Sequence, residues 1–194
     1  MRPTVEDLQA IWRFIYSRAS LLQAAEFFAE LDNVVPESIQ GRALIEMTLI
    51  AYARPFTGCL LPPKGDKLIP LDDVSPPQHL AKVHREMLKL RNTVIGHKDA
   101  TATQNVVKVE IIHPPRVTLN VAMVGGVWPP LKSWLDELCN HFVKHCDDNL
   151  HRLNKTHRAE FMKHPPGQYQ LVISEPPADW LTPFQTKHGE DFRV

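Results

Sequence analysis

Apolar positions recur at helical spacing over four stretches of the chain. In the first, Leu8, Ile11, Trp12 and Ile15 follow i, i+3, i+4, i+7 order, and apolar residues continue through Leu22, Phe27, Phe28 and Leu31. That spacing lines them along one stripe of an α-helix. Thr4 is the expected N-cap, and Asp7 falls in the first turn, where a negative charge meets the positive helix end. One long helix or two short ones around residues 17–20 both satisfy the pattern. A second helix is expected from Pro36, with Ile39, Ala43, Leu44, Met47, Ile50 and Ala51 as its inner stripe and Pro55 as its stop. A third starts at Ser75 as N-cap and Pro76 as first helical residue. Leu80, Val83, Met87, Leu90 and Val94 share one face, while Lys82, Arg85 and Lys89 lie opposite. The fourth opens at Pro129-Pro130 and buries Leu131, Trp134, Leu135, Leu138, Phe142 and His145, running to about residue 160.

Between the third and fourth helices the period shortens to two. Val106, Val107, Val109, Ile111 and Ile112, then Val117, Leu119, Val121 and Met123, read as two short strands of a hairpin-like insert. Residues 56–74 carry turn formers and no helical period, so a long loop is expected there. After His164 the chain holds a strand-like QLVIS and aromatic, proline-broken sequence, with Trp180 and Phe184 expected to pack back. The fold class is therefore mainly α. An antiparallel helical bundle spans residues 1–160, with a small β insert at 104–126 before the last long helix and an extended C-terminal tail at 161–194.

Composition sharpens this only at the margins. Hydrophobic residues make up 43% of the 194 positions and charged ones 23%, which is a globular balance rather than a disordered one. The 17 prolines include six Pro-Pro pairs, and these punctuate the segments. Basic and acidic residues are equal at 22 each, so a wholesale polyanion binder is excluded and any nucleic-acid contact has to be a local patch. No apolar run reaches the roughly 20 residues of a membrane span. MRPTVEDLQA has no signal-like apolar stretch, and Cys59, Cys139 and Cys146 are an odd number, so free thiols in a reducing cytoplasm are expected. There is no phosphate-cradling glycine loop and no G-x-S-x-G. The His141/His145 pair has zinc-ligand spacing but no second Cys/His cluster, and the stretch reads HFVKH without a catalytic glutamate. A solvated helix face with buried thiols is the better reading. The basic tract from His151 to Arg158 reads as a solvated helix end. No metal and no cofactor is expected.

The chemistry-bearing stretch is Arg91-Asn92-Thr93-Val94-Ile95-Gly96-His97, followed by Lys98. Its surroundings are basic, since Lys82, Arg85, Lys89, Arg91 and Lys98 face a single acid, Glu86. Six residues separate Arg91 from His97 by about 120° around the helix and about 9 Å along it, on the two flanks of the apolar stripe. A guanidinium is always charged and grips phosphate oxygens in a planar fork. An imidazole exchanges a proton near neutral pH. Together they suit metal-free RNA cleavage, with His97 as acid or base, Arg91 neutralising the phosphate and Asn92 orienting either partner. The plainer alternative leaves Arg91 a solvated helix residue and His97 a C-cap, a position the helix dipole favours.

An Arg-Asn pair, a short apolar spacer and Gly-His late in a helix of an α-bundle resembles the signature of the HEPN superfamily, in which an arginine and a histidine stand four to six residues apart. Here five residues, Asn92 to Gly96, lie between Arg91 and His97. Upstream, HREMLKLRN is similar to the helix that precedes this motif in HEPN-like proteins of defence and toxin–antitoxin systems. The resemblance covers roughly residues 5–155 and implies a homodimeric, metal-independent endoribonuclease whose paired motifs meet across the subunit interface. It equally implies its non-catalytic form, a helical interaction or nucleotide-binding module. RNA and an antitoxin or other protein partner are the implied partners. His84, seven residues before Arg91 on the same face, would extend a phosphate or RNA site, as would Lys98. Arg54, in AYARPF, would either reach that pocket from the second helix or cap that helix's carbonyls, and the cap is preferred.

Overall fold

The computed structural model describes residues 2–35, 38–57, 60–61, 66–67, 70–92, 105–112, 116–123, 131–167, 169–171 and 180–183. Pro36, Cys59, Val94, His97, Lys98, the Pro129-Pro130 pair and Phe184 lie outside them, and with them the expectations placed on those positions.

The first stretch is a single helix, α1 (Val5–Ala29), which extends into a 3-10 turn at Glu30–Asn33. Its start is the expected one. The Thr4 hydroxyl accepts the Asp7 backbone N–H at 3.1 Å, and the Asp7 carboxylate accepts the Thr4 N–H at 2.9 Å, so two of the helix's orphan donors are met reciprocally. The buried face differs from the expected stripe. Leu8, Ile11, Phe14, Ser17, Ser20, Leu21, Ala24 and Phe28 are buried, whereas Ile15 is 51% exposed. The small residues Ser17, Ser20 and Ala24 let neighbouring helices come close, so the inner face follows side-chain size as well as hydrophobicity.

The helix α2 (Ile39–Ala53) is capped by Ser38, whose hydroxyl accepts the Gly41 N–H at 3.0 Å. Its inner face also departs from expectation. Gly41, Thr48, Leu49, Ala51, Tyr52 and Ala53 are buried, Met47 and Ala43 are exposed, and Ile39 is 81% exposed. The buried Thr48 hydroxyl donates to the Leu44 carbonyl at 2.8 Å, which removes the penalty of placing it inside. A 3-10 turn, Arg54–Phe56, ends the helix at Pro55.

The segment expected as a plain loop contains a short antiparallel pair, β1 (Leu60–Leu61) with β2 (Asp66–Lys67). Leu71 is then buried, with its N–H on the Pro55 carbonyl at 2.7 Å. Arg13 of α1 holds the Asp73 carboxylate at 2.9 Å and reaches the Pro70 carbonyl at 3.5 Å. Ser75 is not an N-cap. A 3-10 turn, Gln78–Leu80, precedes α3 (Ala81–Leu90), and no side chain caps either start. The Ser75 carbonyl instead lies 2.9 Å from His141 Nε2. Pro76 and Pro77 hold the chain extended before the turn, which delays the helix. Within α3, Leu80 and Met87 are buried, Val83 and Leu90 partly so, and Lys82, Arg85 and Lys89 face solvent.

Two further strands, β3 (Asn105–Ile112) and β4 (Arg116–Met123), pair antiparallel from Asn105 opposite Met123 to Ile112 opposite Arg116. The last helix, α4 (Leu131–Phe161), is 31 residues long. It buries Leu135, Leu138, Cys139, Phe142, Cys146, Leu153 and His157, while Trp134, expected inside, is exposed. It runs antiparallel to α1, because Asp7 meets His157 and Phe14 meets His145. Beyond it, β5 (Tyr169–Leu171) pairs antiparallel with β6 (Leu181–Pro183), and Trp180 is buried with its ring 4.9 Å from Phe161. The architecture is a mainly helical four-helix bundle, and no helix among the described residues is long and apolar enough to cross a membrane.

Two stability outcomes follow. Burial pulls the Asp7 carboxyl upward, but the hydrogen bonds from Thr4 and the charge of His157 carry it below its ordinary 3.8. A carboxylate held below its unfolded value stabilises the fold above that value, and the contribution is lost as pH falls through the folded one. Thr4→Ala should therefore cost about 1 kcal/mol near neutrality, and the cost should shrink below pH 3.8, as read by urea unfolding at a series of pH values. Ser17 Oγ is buried with no hydrogen-bond partner among the described residues. Ser17→Ala should leave the melting temperature unchanged or raise it, since it removes a desolvated hydroxyl and no bond.

Candidate functional site

The end of α3 carries Arg91 at its C-cap, with Asn92 next. Arg91 Nη1 donates to the Asn92 side-chain oxygen at 2.9 Å. The bond links a long flexible cation to a short neighbour and restricts its rotamers, and among the described residues no other group bonds to the guanidinium fork. Asn92 is exposed and Arg91 partly so. The site therefore has a surface-accessible cation at a helix C-terminus, where the backbone carbonyls favour positive charge.

His84 stands two turns earlier on the same flank of α3. Its surroundings are aromatic. Nδ1 lies 2.8 Å from the Tyr52 hydroxyl at the end of α2. The ring sits edge-on to Phe56 at 4.7 Å and 84°, and 5.5 Å from Phe142 of α4. Phe56 and Phe142 also meet edge to face at 4.8 Å. Tyr52, Phe56, His84 and Phe142 thus form one cluster where α2, α3 and α4 converge. Burial pushes the His84 ring below its ordinary 6.5 and the Tyr52 phenol above its usual range, so both stay neutral near physiological pH. The ring is half-buried, not sealed.

Arg54 does not join this cluster through its side chain. It occupies the C-cap of α2, but its guanidinium donates to Gln23 of α1 at 2.9 Å rather than to the helix's own carbonyls. One of those carbonyls, that of Ala53, accepts the Thr57 hydroxyl at 3.2 Å. The structure therefore places Arg91 with Asn92, His84 with Tyr52, and Arg54 with Gln23, while His97 and Lys98 fall outside the described residues.

Sequence reasoning missed Tyr52, because nothing local pairs it with a histidine 32 positions away. It also missed a set of charged contacts along α4. His145 Nε2 approaches Asp73 at 3.4 Å and the Asn149 amide at 3.2 Å, His79 meets Glu137 at 3.0 Å, and Arg18 meets Asp147 at 2.6 Å. His157, expected on a solvated helix end, is fully buried and lies 3.3 Å from Asp7. No group of three or more metal-ligating side chains occurs among the described residues. Cys139 and Cys146 are buried, and burial raises each thiol to about 12, which makes them poor nucleophiles. A groove of about 510 Å³ at the end of α4, lined by Phe161, Met162, His164 and Leu181 among others, includes none of the candidate residues.

Comparison of the chain with family models, with curated proteins and with solved structures finds no match.

The depressed His84 has a measurable consequence. A histidine held below its unfolded value adds stability above that value, and the contribution is lost as pH falls through the folded one. Unfolding free energy should therefore fall as pH drops below 6.5, and His84→Phe should flatten part of that slope, as read by denaturant titration at each pH.

Proposed function

We propose that the chain is a HEPN-like, metal-independent endoribonuclease that acts as a homodimer. The observation that carries the reading is the Arg91–Asn92 side-chain bond at the solvent-facing end of α3, within a four-helix bundle. In the reaction, a base takes the proton of a ribose 2′-hydroxyl and the 2′-oxygen attacks the adjacent phosphorus. The P–O5′ bond breaks, and an acid protonates the leaving 5′-oxygen. The products are a 2′,3′-cyclic phosphate and a 5′-hydroxyl, with no redox change and no water consumed in this step. Arg91 binds and neutralises the scissile phosphate, His97 serves as acid or base, and Asn92 holds the guanidinium in place. Dimerisation belongs to the same chemistry, because one arginine and one histidine on a helix surface make a shallow site and two facing copies make a charged cleft. A toxin–antitoxin or defence setting, with an antitoxin as partner, goes with this reading.

A second reading is a non-catalytic interaction module. It is favoured by the exposed apolar side chains of Val35, Ile39 and Met47 around the start and middle of α2. Cleavage separates the two readings.

Purified protein incubated with RNA in the presence of chelator should cleave it and leave cyclic phosphate ends. Arg91→Ala and His97→Ala should each slow cleavage by about 10²-fold or more. Equal cleavage by wild type and both variants would mark a contaminating nuclease and remove the enzymatic reading.

A further inference from the structure

The Tyr52–His84 contact fixes more than packing. The Tyr52 side chain is fully buried, and a buried phenol needs an acceptor for its proton. His84 Nδ1 lies 2.8 Å from that hydroxyl, and with the phenol donating, Nδ1 is the acceptor. A neutral imidazole that accepts at Nδ1 carries its proton at Nε2. Phe56 and Phe142 hold the ring plane from two other directions, so the Nε2–H direction is set by three elements of the bundle. Among the described residues no group bonds to Nε2, and the residue is half-buried. The result is a pre-oriented, uncharged donor at a half-buried position. Seven residues separate it from Arg91, which places the two about 20° apart around α3 and roughly 10 Å apart along it.

On the reading of the chain as a ribonuclease, we infer that His84 is an RNA-contacting residue. Its Nε2–H donates to an acceptor oxygen of a nucleotide neighbouring the one whose phosphate Arg91 holds, and the Tyr52 hydroxyl is the positioning group that aims it. Arg91 and His84 then do different work. The guanidinium displaces counterions from the strand, so its contribution depends on salt. The neutral imidazole displaces none, so its contribution does not. A pre-oriented donor loses little rotamer freedom on binding, which is the advantage of anchoring it in an aromatic cluster instead of on a free surface chain.

The test uses full-length protein and a short oligoribonucleotide of mixed sequence carrying 2′-O-methyl groups, which cannot be cleaved by 2′-oxygen attack. Binding is measured by fluorescence anisotropy over a salt series. His84→Phe, which keeps an aromatic ring in the cluster, should weaken binding by about 2- to 10-fold, the worth of one hydrogen bond, with the salt slope of wild type retained. Tyr52→Phe should weaken it by a smaller factor, also without a change of slope. Arg91→Ala should weaken binding and lower the slope by about 0.7. In wild type, ¹⁵N spectra of the His84 ring should give the Nε2–H tautomer and a shift at Nε2 when the oligonucleotide is added. This last reading does not depend on any variant folding. Wild-type affinity in His84→Phe beside a weakened Arg91→Ala would overturn the inference and leave the ribonuclease reading intact, as would an Nδ1–H tautomer or an unmoved Nε2. Failure of wild type to bind the probe at low salt would overturn both.

Discussion

The antiparallel seam between α1 and α4 is the constraint on which the rest of the bundle depends. Phe14, Leu21 and Phe28 from one side and Leu135, Leu138, Phe142, Cys146 and Leu153 from the other belong to one continuous core. Full burial of such side chains contributes about 1.5–3 kcal/mol each relative to exposure. Hydrophobic contact alone leaves two long helices free to slide, because it has no direction. Polar contacts along the seam fix the register. Asp7 meets His157 at one end, and Arg18 meets Asp147 nearer the other. The exposed Arg18 pair adds little energy. The Asp7 carboxylate does more, because it also completes the Thr4 capping box and so ties the start of α1 to the end of α4.

That seam also places α3. The segment before it is pinned at several points: Leu71 in the core, Asp73 between Arg13 and His145, the Ser75 carbonyl against His141, and His79 against Glu137. A short helix of ten residues has little stability of its own. These tethers and the burial of Leu80 and Met87 hold it on the bundle. The face it turns inward then sets what it turns outward: the row Lys82, Arg85 and Lys89, and at its end Arg91 beside Asn92. A local basic surface on a chain with no net charge is thus a result of how one helix is seated.

The two halves of the candidate site are held by different physics. Among the described residues Arg91 is restrained by its hydrogen bond to its sequence neighbour, at a partly exposed position, which suits the proposed role of meeting an incoming anion. His84 is restrained by a buried phenol and two rings from other elements, which suits a group whose direction matters more than its reach. A charge acts beyond contact, out to about 10 Å at ordinary salt, whereas a neutral donor acts only at contact. On the proposed ribonuclease reading, an RNA strand lying along this flank of α3 is drawn by the first and registered by the second.

The sequence by itself determined the helical class, the positions of α1, α2 and α4 to within a few residues, and the Thr4–Asp7 cap, because periodicity and capping are local properties; α3 begins at Ala81 rather than at the expected Pro76. It also determined that His84 lies on the helix that Arg91 and Asn92 end, and that Lys82, Arg85 and Lys89 face away from its apolar stripe. Tertiary structure alone decided which apolar residues went inside. Ile15, Ile39 and Met47 are as hydrophobic as their buried neighbours, yet Ser17, Ser20 and Gly41 took the inner faces, because close approach of two helices selects for small side chains. It also decided that Ser75 would give its carbonyl to His141 instead of capping a helix, and that His157 would be buried against Asp7 instead of solvated. The pairing of Tyr52 with His84 was of the same kind. A hydrogen bond between side chains 32 positions apart depends on how α2 and α3 come together, and no local pattern of residues encodes that distance.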